Sequence, residues 1–254
     1  LAIFVVFLLY VKDRRLVEAV ILEILERNTN REAERAAGTN RFGGDFDEII
    51  TALSSPDETL REEAVTALSD LKDDRVVFPL ITALRDDAAH IRRLAAQALG
   101  DTCSPKVVKS LLEALSDDDR YVRESAAESL GHLGAVAIPD LVRELRHPDW
   151  RIRMGCIIAM RLGPEPPDTD PVIRMLTDDS AYVRREAVKT LARIGDARIL
   201  PYLIDATRDP DAGVRLRAVR AVARIGAEDE VKQVLVRGLQ DPDSAVRIRA
   251  KEEY

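Results

Sequence analysis

One motif recurs through most of the chain: an aliphatic residue, then an arginine, then a small residue three positions after the arginine. It appears as Leu60-Arg61, Ile91-Arg92, Val122-Arg123, Ile152-Arg153, Val183-Arg184, Val214-Arg215 and Val246-Arg247. Successive copies lie 31, 31, 30, 31, 31 and 32 residues apart. A fixed period of this length limits the possible folds severely. A unit this short cannot bury an apolar stripe by itself, so each copy must stack on its neighbours.

Each unit reads as two short helices. The first carries apolar residues at helical spacing, as in Val107, Val108, Leu111, Leu112 and Leu115. A turn rich in Asp and Pro follows, for example Asp117-Asp118-Asp119, Asp209-Pro210-Asp211 and Asp241-Pro242-Asp243. Carboxylates there satisfy the free amides of the next helix, and Pro is tolerated in a first turn. The second helix is expected to begin at the aliphatic-Arg pair and to stop at Gly134, Gly163, Gly195 or Gly226, where glycine permits a left-handed end. Aromatics are only 4% of the chain, so Ala, Leu, Val and Ile must fill the interior, which suits closely packed helices. On a helical wheel Val214, Ala218, Val222 and Ile225 fall on one face, so the second helices pack side by side through small and branched residues.

The recurrent arginines lie toward that packed side, six residues after a turn position that is Asp in five of the seven units. A half-buried guanidinium needs carboxylates or carbonyls around it. Because Arg61, Arg92, Arg123, Arg153, Arg184, Arg215 and Arg247 occur in every unit alike, they read as a structural ladder joining each unit to the adjoining one, not as a ligand site.

The aliphatic-Arg signature, the Asp-Pro-Asp turns and the Leu-Gly or Ile-Gly stops resemble the HEAT-like repeats first named for phycobilisome lyases. The resemblance covers residues 46–254 and implies an all-α, right-handed α-solenoid of about seven helical hairpins of about 31 residues. It is weak for function, because the same repeat serves many tasks. A deoxyhypusine hydroxylase-like iron site would need His-Glu pairs, and His90, His132 and His147 are none of them followed by Glu. A glycosylase-like groove would need basic residues and aromatics, whereas the net charge is −7 and Trp150 is the single tryptophan. Cys103 and Cys156 have neither metal nor disulfide spacing and read as inert packing thiols. No catalytic, metal or cofactor residue stands out.

Ahead of the repeats, Leu1 to Val11 is apolar apart from the Tyr10 hydroxyl, and Lys12-Asp13-Arg14-Arg15 follows. Eleven helical residues span about 16 Å, roughly half a bilayer core. Residues 1–15 therefore resemble the end of a membrane helix held by cytoplasmic basic residues, with a buried N-terminal helix as the alternative. Residues 16–45 read as an amphipathic helix and a flexible linker. That order of parts resembles the tail of some transporter-like membrane proteins.

The outward centre of the second helices reads Thr66, Gln97, Glu128, Ile158, Lys189, Arg220 and Glu252, and in HEAT-like solenoids this row lines the concave surface. Residues 45–128 hold 19 acidic and 10 basic side chains, and residues 182–225 hold 10 basic and 5 acidic. Lys189, Arg193, Arg217, Arg220 and Arg224 thus form a basic ridge suited to an acidic partner, with a merely solvated face as the alternative. Trp150 and Ile158, in the irregular fourth unit, suggest an apolar patch where the charge changes sign. The expectation is a non-catalytic scaffold binding a protein on its concave face, cytoplasmic and tethered to a membrane, with no nucleic acid, metal or cofactor. A bilin lyase-like protein and the regulatory domain of a transporter are the alternatives.

Overall fold

The computed structural model describes residues 41–43, 45–71, 73–164 and 168–254. The apolar segment 1–15 and most of the expected helix and linker, 16–45, lie outside them. By internal packing the chain divides at Ile49/Ile50 into two units. In the first, the described part is a turn closed by the Asp45 amide on the Phe42 carbonyl, with the Asp45 carboxylate accepting from the Asp47 and Glu48 amides and with Phe42 and Ile49 buried. Helix α1 (Phe46–Ala52) begins there.

The regular structure of the second unit's described residues is all helical, and up to α12 its helices alternate between short and long. The second helices of the repeat are α2 (Glu58–Asp70), α4 (Ala89–Asp101), α6 (Arg120–His132), α8 (Trp150–Leu162), α10 (Ala181–Ile194), α12 (Ala212–Ile225) and α14 (Ser244–Glu253). Each packs against the next, so the seven form one continuous row. The first helices are α3 (Val77–Ala83), α5 (Val108–Ala114), α7 (Ile138–Glu144), α9 (Thr169–Arg174), α11 (Leu200–Ala206) and α13 (Glu228–Gly238). This is the all-α solenoid expected of the period.

The periodic residues form the interior. Ala64, Ala95, Ala126, Cys156, Ala187, Ala218 and Ala250, each three past a ladder arginine, are all fully buried. Glycines bring the row closer still: a Cβ on Gly100 of α4 would lie 2.5 Å from Ser129 Oγ of α6.

Three local expectations need correction. The second helices start two residues before the aliphatic-Arg pair, because the cap is the third turn residue: Asp57, Asp119, Asp149, Asp211 and Asp243 accept amides of the first turn. Most first helices are not single α-helices, being entered or left through a 3₁₀ turn such as Asp74–Val76 or Met175–Thr177. Of the four terminal glycines only Gly134 (φ +56°) and Gly195 (φ +70°) are left-handed. Gly226 is extended, and is small for a different reason: a Cβ there would sit 2.8 Å from the Val222 carbonyl.

Cys156 is buried, which pushes its thiol far above the ordinary range. Cys103 is exposed, contrary to the expectation for both cysteines, because it sits with φ 51° in the connection after α4.

Candidate protein-binding face

Two faces of the second helices carry charge, and they differ in how that charge is compensated. On the packed side, Arg61, Arg92, Arg153, Arg184 and Arg215 each bind the first turn carboxylate of the next unit through Nε and Nη2. Their partners are Asp86, Asp117, Asp178, Asp209 and Asp241, at 2.7–3.0 Å. Nη1 of each donates to two carbonyls of its own turn, as Arg92 does to Asp86 and Asp87. The same carboxylates accept the amide two residues ahead, so each turn aspartate ties its own loop and its neighbour's arginine together.

The carboxylates in these pairs are only 7–13% exposed. Burial pushes Asp86 and Asp117 up, but the guanidinium and amide bonds outweigh it and hold both below the usual carboxylate range. The same guanidinium bonds raise Arg92, Arg153, Arg184 and Arg215 against the opposing effect of burial.

One internal rung is incomplete. The turn residue facing Arg123 is His147, whose Nδ1 accepts the Asp149 amide at 3.0 Å and so copies the loop-closing half of the aspartate. Arg123 binds the Asp117 and Asp118 carbonyls, and no carboxylate among the described residues pairs with it. The connection between α6 and α7, earlier in the same unit, is also a residue shorter, which accounts for the single spacing of 30. Arg247 in the last unit likewise binds only its own turn, at Asp241 and Pro242.

The opposite face of the same helices holds the ridge. Lys189, Arg193, Arg220 and Arg224 are exposed, and Arg217 is half-buried. Lys189 reaches Glu186 at 3.5 Å. Arg193 donates to the Arg161 carbonyl and Arg217 to the Gly213 carbonyl at 3.1 Å. Among the described residues no carboxylate pairs with Arg193, Arg217, Arg220 or Arg224. On this face the positive charge is left open.

Trp150 and Ile158 are not brought together. Ile158 sits half-buried midway along α8, whereas Trp150, at its start, stacks on Tyr182 with ring centroids 4.8 Å apart. The Arg185 guanidinium lies 5.4 Å from the centre of the Tyr182 ring and binds Asp211 at 2.6 and 2.7 Å. That pairing holds the Asp211 carboxyl at about 2, against the opposing effect of burial and with help from the Val214 amide. Gly213 makes room, since a Cβ there would lie 2.5 Å from Arg185 Nε. Trp150 is thus the end of a clamp joining three units. Sequence reasoning missed Tyr182 and Arg185 and read Asp211 only as a capping turn residue; the signal available was the glycine at a position where other units carry a side chain.

A family model described as HEAT repeats matches residues 46–131, 108–180 and 169–253. The chain belongs to the HEAT-repeat family. Its HEAT units are similar to those of several solved proteins. The Escherichia coli protein YibA is 23% identical, with 82% of this chain and 80% of that one covered and a TM-score of 0.50. Kap95p, solved with RanGDP, is 14% identical over 91% of this chain and 37% of that one, with a TM-score of 0.59. The complex of CpcE and CpcF, a phycocyanin lyase from Nostoc sp. PCC7120, is 25% identical over 82% and 92%, with a TM-score of 0.43. No curated protein matches the chain. These likenesses concern the fold.

Proposed function

We propose that the protein is a non-catalytic scaffold that binds an acidic protein partner on the outward face of its second helices, the face that is concave in solenoids of this type. One observation carries this reading: among the described residues Arg193, Arg217, Arg220 and Arg224 have no carboxylate partner, whereas five of the seven packed-side arginines are paired. Unpaired surface charge of one sign steers an oppositely charged partner and raises the association rate at low salt. Kap95p, similar in fold, was solved together with RanGDP, which agrees with a protein-binding use of such a helix stack. Among the described residues no group of His, Cys, Asp and Glu is placed to hold a metal ion. A cytoplasmic, membrane-tethered setting rests on the apolar Leu1–Val11 run and its basic flank alone.

The test is a pull-down from native membrane extract across a salt series, with the intact chain and an Arg217→Glu/Arg220→Glu/Arg224→Glu version as baits. A protein held by the first and lost from the second, most clearly at low salt, supports the reading. Identical retention by both baits removes the ridge from consideration.

A further inference from the structure

The ridge is one third of a longer pattern. Along the continuous row of second helices, the exposed Asp70, Asp101 and Glu128 lie on α2, α4 and α6, and no cation among the described residues pairs with them. Ile158 and Leu162, half-buried, occupy the same face of α8. Lys189, Arg193, Arg220 and Arg224 follow on α10 and α12. Two acidic side chains that would blur the pattern are neutralised locally. Glu186, 16% exposed, is held between Arg161 and Lys189 at 3.5 Å each, and Glu252 is bound by Arg249 at 2.8 Å. Arg93 on α4 points its guanidinium at the Gln97 side chain. The face therefore runs anionic, apolar, cationic in chain order.

We infer that this face binds a single extended polypeptide segment whose own order is complementary: an acidic block over α10 and α12, apolar residues over α8, and a basic block over α6, α4 and α2. This rests on the protein-binding reading above and adds the partner's character. A nucleic acid or an anionic membrane carries one sign of charge and would be repelled by the first three helices, whereas a polypeptide can carry both signs in order. Packed helices stand about 8–10 Å apart and an extended chain rises about 3.3 Å per residue. Each HEAT unit thus spans roughly three residues of the segment, and the six helices from α2 to α12 roughly 18. Opposed charge blocks fix both register and direction, because a shift or reversal places like charges together.

The experiment is fluorescence anisotropy with synthetic 18-residue peptides of one composition, either in the acidic–apolar–basic order or with charges alternating, and a third in which the basic block is replaced by Ser and Gly. Each is titrated with the intact chain, with Asp101→Lys/Glu128→Lys, and with Arg220→Glu/Arg224→Glu. The blocked peptide should bind about tenfold more tightly than the alternating one, from several solvent-exposed charge pairs acting together. Asp101→Lys/Glu128→Lys should weaken the blocked peptide by about the same factor and leave the Ser/Gly peptide unchanged. Equal binding of blocked and alternating peptides, or indifference of the blocked peptide to Asp101→Lys/Glu128→Lys, overturns the two-signed segment while leaving the acidic-partner reading standing. Indifference of every peptide to Arg220→Glu/Arg224→Glu overturns both. Sedimentation of the chain alone checks the remaining occupant: self-association abolished by these reversals would assign the face to a second copy and overturn the inference.

Discussion

Replacing His147 with aspartate should stabilise the protein by completing the one broken internal rung. Five rungs show what is gained: two charge-assisted hydrogen bonds of 2.7–3.0 Å between a guanidinium and a carboxylate that is 7–13% exposed. The loop-closing bond from the Asp149 amide, now taken by His147 Nδ1, would pass to the new carboxylate as in the other turns. The resulting Asp-Pro-Asp turn already occurs at Asp209 and Asp241, both of which form rungs, so the backbone is compatible. A hydrogen bond to a charged group contributes about 1.5–3 kcal/mol, and desolvating a new carboxylate takes back a large part of two such bonds. Arg123 is already half-buried without a counter-ion, so its share of that cost is present in the native protein. A net gain of about 1–2 kcal/mol follows, worth roughly 3–6 °C in Tm for a chain of this size. Thermal denaturation followed by circular dichroism measures it, and hydrogen exchange of the α6 and α7 amides locates it. The same change in an Arg123→Ala background should give no gain. An unchanged Tm, or an equal gain without Arg123, refutes the reasoning.

Other perturbations have equally definite outcomes. Asp117→Asn leaves Arg92, itself 17% exposed, without a counter-ion; because the rung borders solvent, the loss should be about 2–3 kcal/mol, below that of a fully buried pair, read from denaturant unfolding. Asp211 has its carboxyl depressed to about 2 from an ordinary 3.8, so its contribution is complete above pH 3.8 and is lost as pH falls through 2. In Arg185→Ala the Asp211 midpoint should return toward 3.8, and an unmoved midpoint by NMR titration would discount the pairing. Gly213→Ala gains helix propensity of about 1 kcal/mol yet should not stabilise, since the new methyl displaces Arg185 from Asp211; a clear rise in Tm contradicts that.

The solenoid was legible because its cause is local and repeated. An aliphatic residue at the same point of every unit, a small residue four positions on and an aspartate in the turn report burial and capping without knowledge of neighbours. The ladder was legible as a class of interaction, since the spacing from each turn aspartate back to the preceding arginine is nearly constant. The broken rung was visible only as a histidine in a column of aspartates; that Nδ1 keeps the loop bond while Arg123 loses its carboxylate is a matter of side-chain geometry. The clamp of Trp150, Tyr182, Arg185 and Asp211 was not legible, because its members come from three units and are brought together by packing. Ridge residues could be placed on a face from the wheel, but their lack of carboxylate partners depends on where every acid side chain lies.

Each rung takes its guanidinium from one unit and its carboxylate from the unit after it, over 25 or 26 residues. A tandem duplication of a whole unit such as Val183 to Gly213 would therefore place every donor opposite an acceptor, with no adjustment elsewhere. A duplication out of phase by half a unit would strand both. The arrangement rewards growth in integral steps, and a gene built this way can lengthen or shorten its row of second helices by recombination while keeping each remaining joint intact.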